Sequence, residues 1–318
     1  MGRRFRSGSR VSGNRQQGQG DVQGRCDCGE FRESHRMNLP ELSIRLEVLP
    51  GETVVEQITN ASRFGFDAIA LPGRFKERWE TPLRECLRDL ALPLASISLG
   101  FERSLLSPSE ADRSRCRESL IRLFDLCAEL QVLRFNMPPC LNQDNPERLT
   151  DAGNHPSLAA RLDALLLEEL PAMADAAEER GVTLLLEPVN KYESDHLHSI
   201  EHAARITREI SHSHLACTAD FFHMQLEELD TPKALVRSID QIGHVHLAEN
   251  TRVEPGPGSM DFSGFGELKK VEYRGILEVE CRWLSGAAHE VLPQSVDFVR
   301  RQWSAAEATA ASIPSAMK

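Results

Sequence analysis

The stretch that decides the fold lies in the second half of the chain, which carries four short apolar runs: VTLLLEP (182–188), HLACTADF (214–221), IGHVHLAEN (242–250) and GILEVECRW (275–283). Runs of this length and composition are typical of strands that are covered on both faces of a parallel sheet. Segments with helical spacing of apolar residues, 199–210 and 232–239, separate the first three runs. Strands that alternate with helices predict βα units.

The first half repeats this alternation with four more runs: LSIRLEVL (42–49), AIALPG (68–73), LASISLGF (94–101) and VLRFNMPP (132–139). The remaining predicted helices are 51–64, 109–130, 157–180 and 288–303. Eight strands, most of them followed by a helix, predict a single (β/α)8 TIM barrel over residues 40–303.

The rival architecture is an open doubly wound sheet. Such a sheet usually has a Gly-rich turn after its first strand, whereas PGETVVEQ (50–57) contains one glycine. The barrel is therefore favoured. Within it, Ser107 and Glu110 have the spacing of a capping box and predict the start of the helix over 109–130.

The two ends of the chain differ from the barrel in composition. Residues 1–36 contain eight arginines, seven glycines and almost no aliphatic side chain, so they cannot bury enough apolar area to offset the entropy of ordering. We predict a disordered N-terminal extension there. A start codon assigned too early, with Met37 as the true beginning, would explain the same composition. Residues 304–318 are predicted to form a flexible C-terminal tail.

Charge and hydropathy exclude several classes of protein. The chain has 318 residues and a net charge of −11, and residues 37–318 carry 29 basic and 44 acidic side chains, so a nucleic-acid partner is disfavoured. No apolar run approaches the roughly 18 to 20 residues of a membrane span, and no signal peptide is evident. Eight scattered cysteines indicate reduced thiols and a cytoplasmic protein.

Polar residues stand at the ends of the last four predicted strands: Glu187, Asp220, His246 and Glu280. The carboxyl ends of barrel strands form the face on which active sites lie. Three carboxylates would repel one another there unless a divalent cation lay between them. Oxygen ligands with a single imidazole suit Mn²⁺, Mg²⁺ or Co²⁺ better than Zn²⁺. We therefore predict one divalent metal ion, with Mn²⁺ preferred.

Five segments carry a resemblance to a known family: LLLEPVNKYE (184–193), ADFFHM (219–224), HVHLAENTR (244–252), EPGPGSMDF (254–262) and YRGILEVE (273–280). They resemble the xylose-isomerase-like TIM-barrel sugar (phosphate) isomerase/epimerase superfamily, and most of all its D-tagatose/D-psicose 3-epimerase branch. The resemblance implies the same four metal ligands, and it implies that substrate is bound by Glu193, His223 and Arg252. Gln225 is a departure, because the branch has Asn there.

The resemblance also implies the chemistry. A metal ion on the carbonyl and an adjacent hydroxyl would stabilise an enediolate, and two carboxylates on opposite sides of the sugar would move the proton. Glu187 and Glu280 are then the catalytic pair, and the reaction is the C3 epimerisation of a ketose. The same ligands would also serve an aldose–ketose isomerase, a hydroxypyruvate-type isomerase or a sugar-phosphate epimerase.

Two more distant functions use the same barrel. An endonuclease IV-like nuclease would need a histidine-rich zinc cluster and a basic face, and a non-catalytic sugar-binding barrel would be expected to lack Glu187 or Glu280. A small sugar is therefore the predicted partner, with neither nucleic acid nor membrane, and a homo-oligomer (dimer or tetramer) is left open.

Four further predictions concern other polar residues and glycines. Gly256 and Gly258 stand where barrel enzymes often bind phosphate, although an ordinary turn explains them equally well. Arg134 and Asn136 share a strand face and are candidates for substrate contact. His244 either supports the metal site or packs in the barrel, and His196 is expected in solvent.

Overall fold

The computed structural model describes residues 39–141 and 156–306, within which eight strands form a closed barrel in chain order. The strands are β1 (Glu41–Arg45), β2 (Ala68–Pro72), β3 (Leu94–Ser98), β4 (Arg134–Met137), β5 (Thr183–Leu186), β6 (Leu215–Asp220), β7 (Ile242–Leu247) and β8 (Ile276–Val279). All neighbours pair in parallel, and β8 closes on β1 with Leu42 opposite Leu277. The predicted (β/α)8 barrel is confirmed.

Helices cover the outside of this barrel. They are α1 (Val54–Phe64), α2 (Glu80–Cys86), α3 (Glu110–Glu129), α4 (Pro156–Glu178), α5 (Ile200–Ile210), α6 (Phe221–Glu227), α7 (Thr231–Ser238), α8 (Phe265–Lys270) and α9 (Ala288–Ala305). The short helices α2, α6 and α8 were not predicted. A 3₁₀ turn over Leu46–Val48 also replaces the end of the predicted strand 42–49.

Helix starts depend on local side-chain contacts. Thr53 caps α1 by accepting a hydrogen bond from the backbone N–H of Glu56 at 3.2 Å. The capping box predicted for α3 is wrong, because that helix starts after Ser109 and has no side-chain cap. The hydroxyl of Ser107 instead accepts from the N–H of Ser109 at 3.2 Å, a turn contact that competes with capping.

Side chains on the two faces of a strand point either to the apolar core or into the barrel interior. On β7, Val245 and Leu247 pack in the apolar core, while His244 and His246 alternate with them and are fully buried inside the barrel. Polar contacts then cross the interior: Ser96 on β3 donates to Glu278 on β8 at 2.6 Å, although these strands are not neighbours. The barrel interior thus has a polar layer beneath its mouth.

Two glycines allow the loops after β2 and β3 to touch. A Cβ atom on Gly73 would lie 2.2 Å from the carbonyl oxygen of Leu99. Gly100 has a φ of +90°, and its Cβ would lie 2.4 Å from the carbonyl carbon of Gly73. Only glycine fits at either position, and this contact supports Pro72 and Leu99 in the wall of the barrel mouth.

The last helix extends into the segment that the sequence predicts as a C-terminal tail. The extension predicted over 1–36 lies outside the described residues, as do 307–318 of the predicted tail. Helix α9 continues to Ala305, two residues past its predicted end. Within 39–141 and 156–306, no helix combines the length and apolar character that crossing a membrane requires.

Candidate active site

The four predicted ligands meet at the carboxyl end of the barrel. Asp220 ends β6, His246 lies near the end of β7, and Glu187 and Glu280 directly follow β5 and β8. One potential ligand atom from each lies within 4.8 Å of the others. Asp220 and His246 are fully buried, and the side chain of Glu280 is 13% exposed. Strand ends from four consecutive units therefore converge on one point.

His246 is oriented by the carboxylates around it. Its Nδ1 lies 2.9 Å from Glu187 Oε1 and 3.4 Å from Glu280 Oε2. Burial opposes a charge on the ring, but the carboxylates of Glu280, Glu187 and Glu278 outweigh it and raise the pKa of His246 well above its usual value. Conversely, His246 together with Arg252 and Arg45 holds the pKa of Glu280 well below the usual range despite its burial.

The donor set fits a hard divalent cation. Three carboxylates and one imidazole nitrogen surround the same small volume, and Nδ1 of His246 faces into it. Four groups of three or more potential ligands occur among the described residues. Of these, the one formed by the strand ends is the only one that has four members. We conclude that these residues could hold a metal ion.

Arg252 reaches this cluster from the loop after β7. Its φ of +62° is uncommon for a side chain of this size and is the kind of local strain found at functional sites. Nη1 donates to Asp220 Oδ2 at 2.9 Å and Nη2 to Glu280 Oε2 at 3.0 Å, while the guanidinium lies 4.2 Å from the Phe222 ring centroid. The predicted substrate ligand thus lies directly beside two predicted metal ligands.

His223 lies on α6 and is 2% exposed. Its Nδ1 accepts from the backbone N–H of Asn190 at 3.2 Å, which leaves the proton of a neutral ring on Nε2. That Nε2 lies 3.4 Å from Asp220 Oδ2 and 3.2 Å from Nη2 of Arg252. His223 can therefore present an N–H group beside the cluster.

Glu193 lies farther out. It accepts from the side-chain amide of Asn190 at 3.2 Å and from Arg282 at 2.9 Å, and it touches none of the four cluster residues in the contacts described. It nevertheless lines the same cavity, of about 410 Å³, as Glu187, Glu280, His223 and Arg252. A cavity of this size can take a small ligand. All seven predicted site residues are therefore in or directly beside this cavity.

Two residues of the site were not predicted to lie there. Arg45, at the end of β1, forms an ion pair with Glu280 Oε1 and a second with Glu47 at 2.5 Å. Asn190, in the loop after β5, connects Glu193 to His223. The Arg45–Glu280 and Asn190–His223 contacts each join residues from different elements. The only signal in the sequence is that Arg45 is a polar residue at the end of a strand.

Asn136 supports the cluster and does not line the cavity. Its amide donates to Glu187 Oε2 at 2.6 Å and accepts from Thr218 at 2.6 Å. Substrate contact by Asn136 or Arg134 is thus not supported, because neither is among the described lining residues.

In the loop predicted as a phosphate site, backbone N–H groups already donate to a carboxylate of the protein. The buried carboxylate of Glu249 accepts from the backbone N–H groups of Gly256 at 2.7 Å and Met260 at 3.0 Å. Gly256 faces a separate, smaller cavity, and the ring of Phe298 lies beside it. Turn geometry explains this loop, and the phosphate interpretation is not supported.

His196 is not in solvent as predicted. It is 4% exposed, and its Nε2 lies 2.9 Å from Asp163 Oδ1 on α4. His202 on α5 contacts the same oxygen at 2.7 Å, and Arg205 pairs with the other at 2.6 Å. This group attaches the loop after β5 to two helices.

Comparison with known proteins agrees with this architecture. The family described as xylose isomerase-like TIM barrel matches residues 58–302. A 3-dehydro-D-guloside 4-epimerase of Escherichia coli (strain K12) is 24% identical over 243 residues, which cover 73% of this chain and 88% of the relative. An L-ribulose 3-epimerase of Mesorhizobium japonicum is 32% identical over 254 residues, which cover 77% and 81%.

A solved structure has the same fold. A 3-keto-D-glucoside 4-epimerase from E. coli superposes with a TM-score of 0.74 at 22% identity, over 83% of this chain and 100% of that one. The chain therefore belongs to the xylose isomerase-like TIM-barrel family. The resemblance read from the five sequence segments is confirmed.

Proposed function

We propose that this protein is a metal-dependent sugar epimerase that inverts C3 of a ketose through an enediolate. The observation that carries the proposal is the convergence of Glu187, Asp220, His246 and Glu280 within 4.8 Å at the mouth of the barrel. Three carboxylates in so small a buried space are suited to hold a cation, and two of them remain available on different strands for proton transfer.

The four residues would hold one divalent ion. Mn²⁺ is the metal we propose, with Mg²⁺ or Co²⁺ as substitutes, because three of four donors are oxygens and none is a thiolate. When bound, the ion supplies positive charge that stabilises the enediolate oxygens. A carboxylate is too weak a base to remove the C–H proton of a ketose unless the negative charge that develops on oxygen is stabilised.

The remaining chemistry belongs to the side chains. Glu187 and Glu280 follow β5 and β8, so they approach a sugar in the cavity from different sides, and one removes the proton that the other replaces. Nε2–H of His223 and the guanidinium of Arg252 donate to the oxygen that becomes negative. Glu193, on the cavity wall, accepts from a more distant hydroxyl.

A second candidate is the inversion of C4 in a sugar with a ketone at C3. It uses the same enediolate chemistry, and the E. coli 3-dehydro-D-guloside 4-epimerase aligns over 88% of its length. The cavity also reaches two half-exposed aromatic residues, Phe75 (42%) and Trp283 (55%), which could stack on the second group of a glycoside.

Deuterium exchange separates these reactions. Mn²⁺-loaded protein would be incubated in D₂O with D-fructose, D-psicose, L-ribulose, the phosphorylated forms of these ketoses and a 3-keto-glucoside, and the products would be examined by NMR. Deuterium at C3 of a ketose supports the proposal, and deuterium at C4 of the keto-glucoside supports the second candidate. Label at C1 would indicate an aldose–ketose isomerase, and exchange only in phosphorylated sugars would indicate a sugar-phosphate epimerase.

Metal content tests the more distant alternatives. About one Mn, Mg or Co per chain supports the epimerase. About three Zn would favour a nuclease, and none would favour a non-catalytic barrel. Free thiols at Cys116, Cys127 and Cys217 agree with a reducing compartment, and we propose the cytoplasm.

A further inference from the structure

A fully buried carboxylate lies inside the barrel beneath the four-residue cluster. Glu278 is on β8, two residues before Glu280, and therefore points to the same side of the strand. Its Oε2 accepts from the hydroxyl of Ser96 at 2.6 Å and lies 3.0 Å from Nε2 of His244. Its other oxygen, Oε1, has no hydrogen-bond partner. A buried charge is costly, so its presence here requires an explanation.

The atom that faces this oxygen belongs to His246. Nε2 of His246 is also buried without a hydrogen-bond partner, and it lies 3.6 Å from Glu278 Oε1. The opposite ring nitrogen, Nδ1, faces Glu187 and Glu280. One unsatisfied donor and one unsatisfied acceptor thus face each other at slightly more than hydrogen-bond distance. Buried polar groups are normally paired, so a small approach would satisfy both.

We propose that Glu278 is a positioning residue for His246: it accepts the Nε2–H and thereby directs the Nδ1 lone pair at the metal. The inference rests on the proposed function, since it takes Nδ1 as a metal ligand. A carboxylate behind a ligating imidazole fixes its tautomer and orientation and makes it a stronger donor. Ser96 and His244 hold the second oxygen, so that Oε1 is left for His246.

The neighbours of Glu278 agree with this role. Ser96, His244 and His246 reach it from β3 and β7, so two other strands surround the carboxylate on β8. On β8, Leu277 and Val279 face the apolar core on the other side of the strand, so Glu278 alone of these three points into the polar interior of the barrel. Two acids on the same side of the chain at β8 therefore have different roles. Glu280 is a proposed metal ligand, and Glu278 accepts a hydrogen bond from the proposed ligand His246.

The test measures metal affinity rather than turnover. Mn²⁺ binding to metal-free protein would be followed by the EPR signal of free Mn²⁺ in wild type, E278Q and E278L. Glu278→Gln keeps an oxygen that can accept from Nε2–H but loses the charge, so we expect a Kd about 10-fold weaker. Glu278→Leu removes the acceptor, and we expect a loss of about 100-fold. If E278L does not fold, the Kd of E278Q for Mn²⁺ tests the proposal on its own.

The control is another buried carboxylate away from the barrel mouth. Glu169 on α4 is 6% exposed and pairs with Arg113 and Arg117, and Glu169→Gln should leave the Kd for Mn²⁺ unchanged. An equal loss of affinity in E169Q would overturn the proposal, as would a wild-type Kd in E278Q and E278L. Failure of the wild-type protein to bind Mn²⁺ would instead overturn the proposed function.

A second readout is specific to positioning. The ¹H and ¹⁵N chemical shifts of the His246 Nε2–H group in Mg²⁺-loaded protein report the hydrogen bond that this group makes. We expect the strongly downfield proton of a hydrogen bond to a carboxylate in wild type, and an upfield shift or faster solvent exchange of that proton in folded E278L. An unchanged Nε2–H signal in that variant would contradict the role given to Glu278.

Discussion

A carboxylate oxygen of Glu187 and one of Glu280 lie within 4.8 Å of each other, although the two residues follow strands β5 and β8. The proposed epimerisation requires a base on either side of one carbon, and these two carboxylates are the proposed pair. His246 stands between them, with Nδ1 at 2.9 Å from the first and 3.4 Å from the second. Both residues can therefore bind the proposed metal ion, and one can remove the proton that the other replaces.

Glu187→Gln and Glu280→Gln keep the shape of the side chains and remove the base. We expect kcat to fall by about 10²–10⁴ in each, measured at saturating Mn²⁺ so that weakened metal binding does not dominate. Glu193→Gln is the matched control, because Glu193 lines the same cavity outside the cluster and should mainly raise KM. Turnover within tenfold of wild type in either base variant would contradict the two-base assignment.

In metal-free protein, Arg252 offsets part of the negative charge of the carboxylate cluster. It pairs with Asp220 at 2.9 Å and with Glu280 at 3.0 Å, so its removal takes one cationic partner away from each of two buried carboxylates. Arg252→Ala should therefore lower the Tm of metal-free protein by several degrees and enlarge the rise in Tm that Mn²⁺ produces. Arg282→Ala is the comparison, since Arg282 pairs with Glu193 and is 55% exposed. Equal Tm changes in both variants would argue against this role.

Much of the fold could be predicted from the sequence because strands and long helices have local signals. The apolar runs place all eight strands, and the helices of eight residues or more were all anticipated. Helices α6 and α8 span seven and six residues, which is too short for a periodic pattern to be distinctive. The capping box predicted for α3 fails because Ser107 accepts from the backbone N–H of Ser109 in a turn, and the helix begins two residues later than that box requires.

The site was less predictable where it depends on contacts across the barrel. The four ligand candidates stand at strand ends and could be found by position alone. Arg45 pairs with Glu280 across 235 residues of sequence, and no local pattern connects them. The place of Glu278 has no local signal either, because its partners Ser96 and His244 lie on other strands, far from it in the sequence.

Removal of divalent ions should destabilise the protein. A cation that binds only the folded state stabilises it by mass action, by about 2.7 kcal/mol at a free concentration of 100 times the Kd. We therefore expect chelation to lower Tm and abolish activity, and Mn²⁺ to restore both. His246→Ala and Asp220→Ala should lose the response of Tm to Mn²⁺, whereas His289→Ala, at an exposed position, should keep it. A full response in both site variants would refute the ligand assignment.

Acid should destabilise the fold through His196. Burial, together with the nearby His202, lowers the pKa of His196 to about 4, although Asp163 opposes the change. The unfolded chain has a histidine pKa of about 6.5 and so binds more protons between these values. Stability from this group is therefore complete above about pH 6.5 and falls as the pH decreases towards 4, by about 3 kcal/mol in total.

Urea unfolding of wild type and His196→Gln at pH 7, 6 and 5 tests this. Gln can still donate an N–H to Asp163 but does not titrate, so the free energy of unfolding of the variant should depend less on pH. Titration of all other groups is common to both proteins and cancels in the difference. His289→Gln should behave like wild type, because that ring is 74% exposed. Parallel pH curves for wild type and His196→Gln would show that the buried ring is not the source of the acid sensitivity.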